Sequence, residues 1–259
     1  MPPQTIVSRV ERLETRMAPL TGPRNNHRRP VVLGVMKTCL LALAAAAVSM
    51  LSLQAAGKSA HYPVETGTGL EFVHVVPKTV TYQGQKALRL DEEKNYNGEA
   101  VALLTGSDFS DGTIEVDLAG VPGAGSDSGA RGFVGIAFRS TPHAAAFECF
   151  YLRPTNGRAD DQLRRNHSTQ YISAPEFPWQ RLRTENPGVY ETYVDLVTGA
   201  WTHVKIEVSG VKARLFVNGA TQPSLIVNDL KRGATSGQIG LWIGAGTEAY
   251  FRDLRVTAN

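Results

Sequence analysis

Thr113-Ile114-Glu115-Val116-Asp117-Leu118 alternates apolar and acidic side chains without a break after its first residue. A strand has period two, so Ile114, Val116 and Leu118 share one face while Glu115 and Asp117 share the other. Working outward, short β-branched and aromatic runs recur between Gly, Pro, Asn and Asp clusters. Upstream they are Leu70 to Val76, Ala87 to Leu90 and Ala100 to Leu104, with Gly112 to Leu118 holding the quoted stretch. Downstream they are Gly132 to Arg139, Phe147 to Arg153, Trp201 to Val208, Ala213 to Val217, Gln238 to Ile243 and Ala249 to Val256. No apolar 3.6-residue period persists for three turns, which predicts an all-β sandwich or barrel. Asn218-Gly219 marks a turn that tolerates positive φ.

The chain has 259 residues, 42% of them hydrophobic and 20% charged, which is globular composition and excludes a disordered or collagen-like chain. Its formal charge of +3 is concentrated at the start, where eight of the 27 basic residues precede residue 59. The remainder carries 19 basic and 22 acidic residues, a slightly acidic body without the basic surface that supplies affinity for phosphate backbones. Nucleic acid is therefore not an expected partner.

From Met36 the chain reads Met-Lys-Thr-Cys-Leu-Leu-Ala-Leu, continues through alanines, and reaches the small residues Ala55, Ala56 and Gly57. One cation, an apolar run and a small-residue cleavage site form the signature of a secretory signal peptide. The expected organisation is a non-structural extension at 1–35 (a mis-called start), a signal peptide at 36–56, and one domain at 61–259. Export to the periplasm or the extracellular space follows, with a membrane partner only if the segment is retained as an anchor. Cys39 falls in the signal, leaving Cys149 alone in the apolar alternation Phe147-Glu-Cys-Phe-Tyr-Leu152, where it reads as core packing. No phosphate-binding Gly-rich loop, no Gly-x-Ser-x-Gly elbow and no Cys-x-x-Cys pair follows it.

Strand signals lapse between 154 and 194. This long polar excursion carries Arg158, Asp160, Asp161, His167, Gln170, Tyr171 and Trp179. A connection of that length is usually functional. Asp160, Asp161 and His167 offer oxygen and nitrogen ligands for a divalent cation, or a carboxylate and an imidazole for acid–base work, with capping and pairing inside the loop as the competing reading. Glu148 and Arg139 lie on neighbouring strands, which suits either a structural ion pair or a carboxylate held to bind sugar hydroxyls. Trp179, flanked by Pro178, reads as an aromatic platform with Tyr171 second, whereas Trp201 and Trp242 sit in strand patterns and read as core. Glu115-x-Asp117 resembles the acidic strand motif of laminarinase-type glucanases, but Gly120 stands at the third acidic position.

The C-terminal third, Ala200-Trp201-Thr-His-Val-Lys-Ile-Glu-Val, Ala213-Arg-Leu-Phe-Val-Asn-Gly219, Gly237-Gln-Ile-Gly-Leu-Trp-Ile-Gly244 and Ala249-Tyr-Phe-Arg-Asp-Leu-Arg-Val256, resembles the concanavalin A-like jelly rolls. The resemblance is to laminin-G-like domains and to the 3-keto-disaccharide hydrolase-like family of secreted bacterial proteins. Gly135-Ile-Ala-Phe-Arg139 and Phe147-Glu148 resemble that family's paired central strands. The resemblance implies a two-sheet antiparallel jelly-roll sandwich that meets a carbohydrate, oligosaccharide or glycoside, on its concave sheet. Two main functions stay open. In one the chain is a glycoside (3-keto-disaccharide-type) hydrolase or lyase, with Glu148, Asp160, Asp161 and His167 as acid, base or metal groups and Arg139, Arg153, Arg158, Gln170, Tyr171 and Trp179 binding substrate. In the other it is a non-catalytic, lectin-like glycan-binding module. A laminin-G-like adhesion module that binds protein is a third alternative.

Overall fold

The computed structural model describes residues 57–96 and 98–259. The expected extension and signal segment lie outside the described residues. The chain forms β1 (Lys58–Tyr62), β2 (Leu70–Val73), β3 (Val75–Tyr82), β4 (Gln85–Glu92), β5 (Ala100–Leu104), β6 (Gly112–Pro122), β7 (Val134–Ser140) and β8 (Phe147–Leu152). It continues through α1 (Gln162–Asn166), β9 (Thr169–Ala174), α2 (Trp179–Glu185), β10 (Glu191–Thr192), β11 (Thr202–Ser209), β12 (Lys212–Val217), β13 (Leu225–Val227), β14 (Gln238–Ile243) and β15 (Thr247–Ala258). These strands make two antiparallel sheets. One has the order β13-β12-β11-β6-β15-β4-β3, with β1 beside the second half of β15. The other has the order β10-β9-β8-β7-β14-β5-β2. The all-β jelly-roll sandwich expected from the sequence is thus the observed fold.

β6 lies between β11 and β15, and its alternation assigns faces as read. Ile114, Val116 and Leu118 are at most 1% exposed and face the second sheet's core residues, each contributing about 1.5–3 kcal/mol through burial. Glu115 and Asp117 face outward, where His203 and Arg252 pair with Asp117 at 2.9 and 2.7 Å. Asn218 and Gly219 take φ of 52° and 71°, the positive values their turn needs. That turn does not close a two-residue hairpin, because β12 meets β13 only at Ala213–Leu215 against Leu225–Val227. Trp201 corrects its core assignment. It is half-buried on the outward face of the eight-stranded sheet, edge-on to Tyr82, in a small cluster apart from the main core.

The segment 154–194 is not free of strands: it contains β9 and β10, which extend the seven-stranded sheet past β8. All six residues of β9 are buried. Core covers one face and α2 lies against the strand, so its polar side chains do not alternate with apolar ones and the period-two signal vanishes. β3 carries Pro77, which an edge strand tolerates.

Candidate functional site

Glu148 and Arg139 do not meet. Glu148 is fully buried and accepts the Tyr171 hydroxyl at 2.6 Å and the Arg232 backbone N–H at 2.7 Å. Arg139, also fully buried, donates to the carbonyls of Ser110, Gly210 and Gly233 and to Asp111 at 2.9 Å. Both therefore tie loops to the sheet at positions no ligand reaches, and Tyr171 is consumed in the same network, its Oη also accepting the Lys231 N–H. Arg158 closes a bidentate pair on Asp195 at the surface, at 2.7 and 2.8 Å. Asp161 caps α1 by accepting the Arg164 N–H at 3.0 Å, and Asp160 is exposed. Among the described residues no three His, Cys, Asp or Glu side chains converge as ligands, so Asp160, Asp161 and His167 do not form the cation set considered above.

His167, Arg153, Gln170 and Trp179 do come together, on the outward face of the seven-stranded sheet. β8 places Tyr151 there, and the register sets Tyr151 opposite Gly135 on β7, which in turn faces Trp242 on β14. The missing side chain at Gly135 lets the two rings meet at 4.6 Å between centroids. A Cβ at Gly135 would lie 2.6 Å from Tyr151 Cβ and 2.2 Å from the Phe150 carbonyl oxygen. Tyr151 and Trp242 floor one lobe of a groove, about 310 Å³, with Glu99, Phe133 and Trp179 in its walls. A second lobe of about 220 Å³ shares Phe133 and Trp179 and is lined by Arg131, Arg153, Arg164, Arg183, Asn156 and His167. Gln170 lies beneath, accepting from Arg153 at 3.3 Å.

Contacts run continuously from one lobe to the other. Trp242 Nε1 donates to Glu99 at 2.5 Å, and Arg153 donates to Tyr151 Oη at 2.7 Å and to the His167 carbonyl at 3.1 Å. His167 Nε2 is 3.2 Å from Glu191 Oε1, and Arg183 grips Glu191 at 2.6 Å while its guanidinium lies 4.5 Å from the Trp179 ring. Burial pushes the Glu99 carboxyl above the usual carboxylate range, partly offset by the Trp242 hydrogen bond. Burial pushes His167 below the usual imidazole value, against the pull of Glu191, and Arg183 and Arg153 push the same way. Burial raises the Tyr151 phenol, so it stays protonated beside Arg153. The groove thus holds a carboxyl inclined to keep its proton and an imidazole inclined to be free of one, on either side of shared aromatic walls.

Sequence reasoning missed Glu99, Tyr151, Trp242, Arg131, Phe133 and Arg183. Trp242 reads as core in the sequence and is buried, 4% exposed, while also bordering the groove. The usable signal was its pairing with a strand that carries Gly135, since a glycine in a buried strand marks close approach. Glu99 offered only a carboxylate next to a strand start, a signal shared by many surface residues.

No curated protein matches the chain in sequence. Among solved structures, the carbohydrate-binding module CBM66 from Bacillus subtilis is 16% identical over 73% of this chain and 96% of that one, with a TM-score of 0.51. A Bacillus subtilis protein of unknown function with a galectin-like fold is 13% identical over 78% and 96% of the two chains, with a TM-score of 0.53. These likenesses concern the fold. Residues 73–257 match the 3-keto-alpha-glucoside-1,2-lyase-like domain, a match that spans both sheets and the groove, and the chain belongs to that carbohydrate-active family.

Proposed function

We propose that the groove binds a 3-keto-glycoside and cleaves its glycosidic bond by elimination across C1 and C2. The observation that carries this reading is the pairing of a raised carboxyl, Glu99, with a lowered imidazole, His167, along one aromatic-walled groove. A ketone at C3 acidifies the C2 hydrogen, because the carbanion delocalises onto the carbonyl oxygen. The Glu191 carboxylate 3.2 Å from Nε2 favours the proton on that nitrogen, and we therefore assign Nδ1 of His167 as the base. The C2–H bond breaks towards Nδ1, its electrons form C1=C2, and the C1–O bond breaks as Glu99 protonates the departing oxygen. The products are an enone and the free aglycone, and later addition of water to the enone gives net hydrolysis. Guanidinium groups in the basic lobe stabilise the developing enolate. Trp179, the exposed ring of the wall, stacks on sugar C–H faces, above a floor that Tyr151 and Trp242 close.

The test is the full chain with a 3-keto-disaccharide, following enone absorbance and aglycone release. H167Q and E99Q each lower kcat/KM about 100-fold or more, the usual worth of a positioned acid or base, while W179A mainly raises KM. Binding without turnover would leave a glycan-binding module, and neither binding nor turnover would sink the reading. The Met36 to Lys58 signature supports an exported chain, periplasmic or extracellular, and N-terminal sequencing of secreted material checks it.

A further inference from the structure

The basic lobe holds more positive charge than a neutral sugar requires. Arg183 is matched by Glu191. None of the ion pairs among the described residues includes Arg131, Arg153 or Arg164. Arg131 donates to the carbonyls of Ser128 and Ala130 at 2.6 and 2.9 Å, and Arg164 to the Asn156 side-chain oxygen at 3.3 Å. Asp127 acts on Arg131 only at a distance, since its own hydrogen bond goes to the Gly129 N–H at 2.6 Å. Arg153 is 5% exposed and bonds only neutral acceptors: Tyr151 Oη, Gln170 Oε1 and the His167 carbonyl. The nearest carboxylate to act on Arg153, Glu191, is already engaged by Arg183 and His167 and reaches it only at a distance, so this buried guanidinium has no paired counter-charge of its own, a costly arrangement that a bound anion would relieve. Arg183 and Arg131 sit close enough to Arg153 to work against its charge, and Arg164 does the same to Arg131.

We propose that the basic lobe is a subsite for an anionic group on the sugar, a carboxylate or a sulfate ester, so that the chain prefers acidic glycosides. This rests on the glycan-binding reading of the groove. Planar guanidinium forks match both kinds of oxygen group, and the shared walls Phe133 and Trp179 place the charged substituent next to the aromatic lobe that takes the ring.

The test is calorimetric binding to the full chain with four probes: 4-nitrophenyl glucuronide, its neutral glucuronamide, 4-nitrophenyl glucoside and its 6-sulfate ester. Inorganic sulfate serves as a sugar-free control. One or both charged sugars bind about tenfold tighter or more than the neutral ones, the scale of one or two charge-assisted hydrogen bonds, and the gap narrows as salt is raised. Which charged sugar wins separates uronic acids from sulfated sugars. R131Q and R164Q each shrink the gap about threefold or more and R164K restores part of it, while R181Q, outside the groove, leaves it unchanged. Equal affinity for charged and neutral sugars overturns the proposal and leaves the glycan reading standing. Inorganic sulfate binding as tightly as the charged sugars, with the same arginine dependence, overturns it in favour of a plain anion site. Failure of all the sugar probes to bind overturns the preference for acidic glycosides, whereas the glycan reading itself falls only if the 3-keto-disaccharide is neither bound nor turned over.

Discussion

At the scale of single residues, Glu99 and His167 are shifted in opposite directions, and each shift has a measurable sign. The folded Glu99 carboxyl titrates above its unfolded value, so its contribution to stability is present at low pH and is lost as pH rises through the folded value. Glutamine does not titrate there. The Tm difference between E99Q and the parent chain therefore becomes more positive between about pH 4 and about pH 8, at about 2–4 °C per kcal/mol for a domain of this size. Thermal melts across pH check it, and a difference that falls with pH contradicts the burial of Glu99. For turnover, His167 must be unprotonated and Glu99 protonated, which places the kcat/KM optimum below the ordinary imidazole value of about 6.5. H167Q and E99Q each leave a one-sided pH profile. Of the candidates legible in the sequence, His167, Arg153 and Trp179 line the groove, Gln170 holds Arg153 from beneath it, and Glu148 and Arg139 are spent inside the fold. Residue type alone could not separate these outcomes, because a buried strand carboxylate serves a loop N–H as well as it would serve a sugar hydroxyl.

At the scale of elements, the groove depends on how β7, β8 and β14 are spaced. Gly135 lets Tyr151 and Trp242 touch, and a Cβ there meets backbone on β8 that cannot swing away as a flexible side chain would. G135A is expected to cost about 1–3 kcal/mol by overpacking. It also displaces Tyr151, so KM for the glycoside rises more than in a variant of equal stability altered elsewhere. Denaturant titration together with steady-state kinetics separates the two effects. The central strands were readable because one of their faces meets polar surroundings and alternates, as β6 and β11 do. β9 was not readable, since it is covered on both faces, and neither was three-residue β13, which is too short to show a period.

At the scale of the whole molecule, two sheets of unlike outward character share one core. The eight-stranded sheet turns ion pairs such as Arg252–Asp117 outward, whereas the seven-stranded sheet turns out the aromatic floor that α2 and its flanking loops enclose. The order of strands also fixes where the ends of the described domain meet. Lys58 of β1 lies opposite Ala258 of β15, and the two strands run antiparallel from that shared end. Tension applied between residues 57 and 259 would therefore load their hydrogen bonds in sequence, as a zipper, rather than all at once in shear. The expected signature in an optical trap is early, low-force peeling of β1, followed by a separate rupture of the sandwich. Because β1 borders only β15, in the sheet opposite the one whose β8 and β9 carry the groove, ligand binding in the groove should raise the second force and leave the first unchanged.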